Sequence, residues 1–239
     1  MPQESRTIVI VGGTSGIGLG LARACAERGW QVVITGRDTA RAQSVAEGIG
    51  PNVSGLGFDL SAPESIGAAL EKLGTVDHVV LSAIERDRNT LKDYAIDRAV
   101  RLTTLKLVGY TEVVHALADR LRPRPSSSVV LIGGMAGYTP YPGSTTVSTV
   151  NAGLSGLMRS MVLQLAPVRV NTLHPGLVGD TPAWENASQV LENIASKTPT
   201  KQVTTTADMV HGLLFLIDNP AVNGVEIKLD GGMHVQSLV

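Results

Sequence analysis

The stretch Thr7-Ile8-Val9-Ile10-Val11-Gly12-Gly13-Thr14-Ser15-Gly16-Ile17-Gly18 decides the fold of this chain. Its first five residues are apolar or β-branched, as in a short buried strand, and the glycines that follow break that strand. Residues 19–28 then have helical character, and residues 31–35 form a second apolar run. Strand, glycine turn, helix and strand in that order are the setting in which a dinucleotide is held. The glycines permit the tight turn, let the backbone approach a diphosphate and allow close helix packing, while the helix N-terminus favours negative charge. An ordinary glycine-rich turn is the plain alternative, and the position between strand and helix speaks against it.

The alternation continues outward. Strands are expected at 53–58, 76–82, 128–132, 169–174 and 225–229, and helices from about residue 63, at 92–121, 144–165 and 207–217. Almost wholly apolar strands separated by helices imply a parallel sheet covered on both faces. The expected fold is α/β: a single-domain Rossmann fold over residues 1–239, with a doubly wound parallel sheet of about seven strands and helices on both faces. Residues 176–201 form the one long irregular segment, holding Pro182, Trp184 and Pro199, and read as a loop that covers the substrate.

Hydrophobic residues make up 43% of the 239, charged residues 17% and aromatics 3%, so the interior must be built from Val, Leu, Ile and Ala. Twenty basic and 21 acidic residues give a net charge of -1 without long runs, which argues against a nucleic-acid surface. The single cysteine, Cys25, reads as an inert core residue of the first helix. The histidines at 78, 115, 174, 211 and 234 are scattered and give no support to a metal site. The start MPQESRT lacks the pattern of a signal sequence, and no segment reaches the roughly 20 apolar residues of a membrane span. A cytoplasmic protein is expected.

The second strand runs out at Thr35-Gly36-Arg37. An NAD site places a carboxylate at that tip to hold the ribose hydroxyls. Here Arg37 offers a guanidinium to a 2′-phosphate instead, with Ser15 in support, so NADP(H) is favoured over NAD(H). A solvated surface arginine is the plainer reading of Arg37. Asp59, after the third strand, is placed to accept from the adenine amino group or to cap the next turn.

Gly12-x-x-x-Gly16-x-Gly18 resembles the motif of the short-chain dehydrogenase/reductase family, and the resemblance runs over almost the whole chain. It implies that Gly12, Thr14, Ser15, Gly16, Ile17 and Gly18 hold the diphosphate side, and that Asp59-Leu60 forms the adenine site. It implies that Ser82-Ala83 line the wall after the fourth strand. Pro175-Gly176, with Val178 and Thr181, look like the segment that holds the nicotinamide carboxamide, and Asp230-Gly231-Gly232 looks like the closing signature. It also implies a homotetramer or homodimer packed through the helices at 92–121 and 144–165.

The family's chemistry uses Asn, Ser, Tyr and Lys, the last two four residues apart on one helical face. At those positions stand Lys106, Gly134, Val147 and Asn151, and Ile84 replaces a glycine that lets the adenosine ribose approach. Lys and Asn have in effect exchanged helices. Lys106 admits two readings: an ammonium that donates a proton, binds ribose or stabilises an oxyanion, with Asn151 and a hydroxyl from Ser144, Thr145, Thr146 or Ser148 assisting, or a lysine that snorkels from a helix surface. Tyr138 and Tyr141 lack the lysine spacing and read as residues packing against the covering loop. His174, at a strand end, reads as a titrating group or as a hydrogen-bonded structural one.

The expected function is that of an NADP(H)-dependent reductase with an atypical active site, acting on a modest, apolar substrate. Conjugated C=C or C=N bonds suit it best, because they can take their proton from water. A non-catalytic NADP(H)-binding protein, acting as a sensor or partner subunit, is the alternative.

Overall fold

The computed structural model describes residues 6–236. The chain runs through strand β1 (Thr7–Val11), helix α1 (Gly16–Glu27), β2 (Gln31–Gly36), α2 (Thr39–Glu47), β3 (Val53–Gly57), α3 (Ile66–Leu70) and β4 (His78–Leu81). A long helix follows in three pieces: α4 (Ile96–Thr103), a widened π turn (Thr104–Gly109) and α5 (Tyr110–Leu117). Then come β5 (Ser128–Ile132), α6 (Thr145–Gln164), β6 (Arg169–Pro175), α7 (Ser188–Lys197), α8 (Thr206–Asp218) and β7 (Glu226–Leu229).

These strands form one seven-stranded sheet in the order β3-β2-β1-β4-β5-β6-β7, and every pairing in it is parallel. This is the doubly wound arrangement expected from the sequence. Because β1 lies between β2 and β4, the winding reverses there and a crevice opens outside the C-terminal ends of those strands.

Alternate strand residues feed two cores. Val9, Val79 and Val129 pack with Leu105, Tyr110 and Leu154 on one face; Ile8, Ile10, Val80 and Val130 pack with Leu21, Cys25 and Leu213 on the other. Cys25 is fully buried, and burial pushes its thiol up to about 12, so it is inert as expected. None of the described helices is long and apolar enough to cross a membrane.

Three local readings need correction. The helix expected from residue 92 begins only at Ile96, because the Asn89 side chain accepts from the Ala95 amide at 2.8 Å and donates to the Ala95 carbonyl at 3.1 Å, fixing a turn. The segment 176–201 is not irregular throughout, since α7 occupies Ser188–Lys197. And α2, absent from the sequence reading, buries only Ala42 and Ala46, too faint an apolar stripe to register.

Candidate functional site

The glycine turn is flush against the end of β4. Gly12 has φ +84°, and a Cβ there would stand 2.7 Å from the Ala83 nitrogen; at Gly18 it would stand 2.3 Å from the Gly12 carbonyl oxygen. No side chain fits at either position. The Ser82 hydroxyl donates to the Val11 carbonyl at 2.8 Å and ties the turn to β4. Ser15 is the N-cap of α1 but its side chain makes no cap bond, so the first amides of the helix, at Gly16, Ile17 and Gly18, keep no partner from that hydroxyl. A bare backbone cradle at the N-terminus of a twelve-residue helix fits a diphosphate.

Around it stand the other expected cofactor residues. The Thr14 methyl lies 2.9 Å from where a Cβ on Gly36 would be, so the turn abuts the tip of β2. Arg37 is exposed there, and among the described residues no hydrogen bond or ion pair holds its guanidinium. The next residue, Asp38, turns its carboxylate to cap α2 by accepting from the Arg41 amide at 3.0 Å. Its charge is used locally. Thr181 comes within 3.7 Å of a Cβ built on Gly16, and its hydroxyl donates to the Val178 carbonyl. Val178 is itself pinned by a bridge to Thr204, and the Gly176 amide donates to the Leu229 carbonyl, so the segment after Pro175 is anchored along β7. Farther along it, the Arg86 guanidinium lies over the Trp184 ring at 5.7 Å.

Asp59 serves as a cap and as an ion-pair partner at once. One carboxylate oxygen accepts from the Ser61 amide and hydroxyl at 2.9 and 2.8 Å, the other from Arg101 at 3.2 Å. Burial raises its pKa, but the bonds from Ser61 and Arg101 prevail and hold it below the usual carboxylate value. Leu60 is buried. Ile84 is 65% exposed, so it is not wedged into the fold but stands at the rim of the crevice.

The four positions that the resemblance assigns to the usual chemistry hold Lys106, Gly134, Val147 and Asn151. Lys106 sits in the π turn and is fully buried, which removes the snorkelling reading. Its ammonium donates to the Ile132 carbonyl at 2.5 Å, the Tyr110 hydroxyl at 3.0 Å and the Ala83 carbonyl at 3.4 Å. These acceptors match the three hydrogens of an ammonium. Burial pulls its pKa down to about 7. Tyr110, which the sequence reading passed over, donates to the Ala83 carbonyl at 2.7 Å, and burial pushes its phenol well up. The spacing Lys106-x-x-x-Tyr110 was the signal available for it.

Asn151 is buried and does not bond Lys106. Its amide nitrogen lies 3.0 Å from where a Cβ on Gly134 would be, so it takes the space of the side chain that Gly134 lacks. Val147 brings no polar atom to the site. Three of the four helper hydroxyls have protein partners: Ser144 holds the Tyr141 carbonyl and Ser148 at 2.7 Å each, and Thr146 accepts from Asn89. His174 is buried edge-on to Tyr138, with the Glu226 carboxylate 3.3 Å away; burial lowers its pKa, Glu226 opposes this, and the ring stays neutral at pH 7. Tyr138 is tied to β7. Its hydroxyl donates to Glu226, and the Lys228 ammonium lies 3.9 Å from its ring centre.

The family profile described as Enoyl-(Acyl carrier protein) reductase matches residues 11–234. The chain belongs to the short-chain dehydrogenase/reductase family. Carbonyl reductase family member 4 of Danio rerio is 30% identical over 97% of this chain and 99% of its own. A 3-oxoacyl-[acyl-carrier-protein] reductase of Aquifex aeolicus is 29% identical over 96% and 98%. A solved short chain dehydrogenase/reductase family protein superposes with a TM-score of 0.88, at 29% identity, over 98% of this chain and all of that one. Short-chain dehydrogenases are oxidoreductases that bind a nicotinamide cofactor, and the glycine cradle of this member fits that ligand.

The buried lysine makes a test of the site that needs no substrate. A lysine whose folded pKa lies below its unfolded value binds fewer protons when folded, so it costs stability at low pH and less as pH rises from about 7 toward about 10.4. Lys106→Met removes that dependence. The melting temperature of the variant relative to the parent should therefore rise as pH is lowered from 10 to 6. A difference that stays flat over that range would show that Lys106 titrates as an exposed lysine does.

Proposed function

We propose that this protein is a cytoplasmic NADP(H)-dependent reductase in which a buried lysine, Lys106, stands in for the usual acid. The observation that carries this reading is the Lys106 ammonium, held by the carbonyls at the ends of β4 and β5 without a carboxylate partner. It lies beneath the residues that border the glycine turn on one side and Gly134 on the other.

Reduced nicotinamide supplies a hydride. The chain's own part is to bind, orient and stabilise charge. The Gly12–Gly18 turn takes the diphosphate, Arg37 pairs with the 2′-phosphate, and Thr181 with the Val178 backbone orients the nicotinamide side. Lys106 favours negative charge developing above Gly134 through its field, since it is buried and its donors are spent on protein acceptors. Among the four family positions no side chain offers a proton to the crevice. Proton delivery then falls to water: an enolate is stable enough to wait for it, and an imine can take its proton from water before hydride transfer and react as the iminium, whereas an alkoxide needs its proton as the bond forms. Conjugated C=C and C=N bonds are the substrates that suit this site. The description of the matching family profile, an enoyl reductase, agrees with the first of these. The non-catalytic reading rests on the same loss of Tyr and Lys, and turnover separates the two.

The decisive experiment titrates NADPH and NADH by nicotinamide fluorescence and then follows NADPH oxidation with a short 2-enoyl thioester and a cyclic imine. NADPH should bind in the micromolar range, Arg37→Ala should weaken it at least tenfold while leaving NADH unchanged, and Lys106→Met should keep binding but lose at least tenfold in turnover. Binding without any turnover would establish the non-catalytic reading.

We further propose self-association through the helical faces that carry Ile96, Val100 and Val108 on one side and Leu163 on the other, all exposed in the single chain. Light scattering should give a multiple of the chain mass, and the pair Val100→Glu with Leu163→Glu should reduce it to the monomer; an unchanged mass would place the interface elsewhere.

A further inference from the structure

Arg101 is the most heavily engaged cation at the mouth of the crevice. Its Nε donates to both Glu85 oxygens at 3.1 and 2.9 Å, one terminal nitrogen donates to the Ser61 hydroxyl, and the other to Asp59 at 3.2 Å. The partners come from three places: Asp59 and Ser61 from the loop after β3, Glu85 from the loop after β4, and Arg101 itself from α4. A contact about two turns farther along the helix explains how they meet. At Gly109 a Cβ would stand 2.3 Å from the Leu60 carbonyl oxygen, so the absence of a side chain there lets the Asp59-Leu60 loop press on the helix that carries Arg101.

The consequences are chemical. Guanidinium donors lie in one plane, and here each of the three nitrogens donates to a protein acceptor, which fixes the group and leaves its faces and two of its five N–H bonds for a ligand. The side chain is 36% exposed, which keeps part of it open to the crevice. Asp59, for its part, has one oxygen filled by two donors from Ser61 and the other by a single donor from Arg101. The second oxygen thus retains one acceptor site. An aromatic amine meets, side by side, a flat cationic surface and a single carboxylate lone pair.

We infer that Arg101 is a specificity-determining residue of the cofactor site, its guanidinium held edge-on by Asp59, Ser61 and Glu85 as the surface on which the adenine ring stacks. The inference rests on the NADP(H) reading above. It assigns to Glu85 and Ser61 the role of positioning residues, which fix the plane and touch no ligand. A lysine at 101 would keep the charge and lose the plane.

Calorimetric titration with the two halves of the cofactor tests this. The purified protein and its Arg101→Ala and Arg101→Lys variants are each titrated with 2′,5′-ADP and with reduced nicotinamide mononucleotide, and thermal melts check that the variants are folded. Both variants should lose about tenfold or more in affinity for 2′,5′-ADP, with no change for the mononucleotide. Parent-like affinity of Arg101→Lys for 2′,5′-ADP would show that only the charge matters and overturn the stacking role, and parent-like affinity of Arg101→Ala would overturn any role. A parent protein that fails to bind 2′,5′-ADP would remove this inference and the NADP(H) reading together. If the adenine half binds in the Arg101-dependent way and no substrate is turned over, the reductase reading falls and the assignment of Arg101 stands.

Discussion

The docking of one helix on the sheet sets most of what is particular to this protein. Gly109 lies against the Leu60 backbone with no room for a Cβ, and from that contact the rest of the helix is placed. Arg101 reaches the loops after β3 and β4, Lys106 reaches the carbonyls at the ends of β4 and β5, and Tyr110 closes over the Ala83 carbonyl. A regular α-helix turns 100° per residue; the π turn at Thr104–Gly109 changes that phase and lets Lys106 face inward although its neighbours belong to an amphipathic surface. The long helix is thus the element that brings adenine-side and reaction-side groups into one frame.

How much of this was legible in the sequence follows from which atoms carry the information. Strands and the glycine turn were legible because their signal is a run of apolar residues ended by glycine, and the observed β5 covers the expected residues. Helix α7 was not, because it is short, none of its described side chains is fully buried, and it lies in a stretch bounded by prolines. The residues expected on the cofactor side could be named one by one, since Gly12 and Gly18 are marked by the absence of a side chain and Arg37 by its charge. The reaction side was not: the partners of Lys106 are two main-chain carbonyls, which have no sequence signature, and a buried lysine looks in sequence like an exposed one. Arg101 escaped notice for a related reason, since Asp59 lies 42 residues away and Glu85 16, and each pairing needs the folded sheet.

The substitutions at the four family positions also make sense only together. The amide of Asn151 occupies the space beside Gly134, so a side chain at 134 would be crowded by it, and the two changes form one repacking. Likewise His174 fills the space beside Gly133, where a Cβ would stand 2.5 Å from Nδ1, and its ring is buttressed by Tyr138 and Glu226. The space beside Gly133 and Gly134 is therefore filled by protein, and on the proposed reading the polar groups there act through their fields and not by contact.

That distinction decides which chemistry the site can support. In this family a phenol and an amine four residues apart share the work of moving a proton, and a phenol and an amine are again adjacent here, 3.0 Å apart, but in reversed order and on the other helix. The Tyr110 proton points into the Ala83 carbonyl, and burial pushes its pKa up, so the phenol keeps its proton at neutral pH. What remains is charge. A buried ammonium lowers the energy of an anion formed nearby by an amount that grows as the local dielectric falls, yet it delivers nothing to that anion. On the reading proposed above, Lys106 suits reactions whose anion is already delocalised and can wait for a proton from water, and it suits poorly those in which proton transfer must accompany bond making.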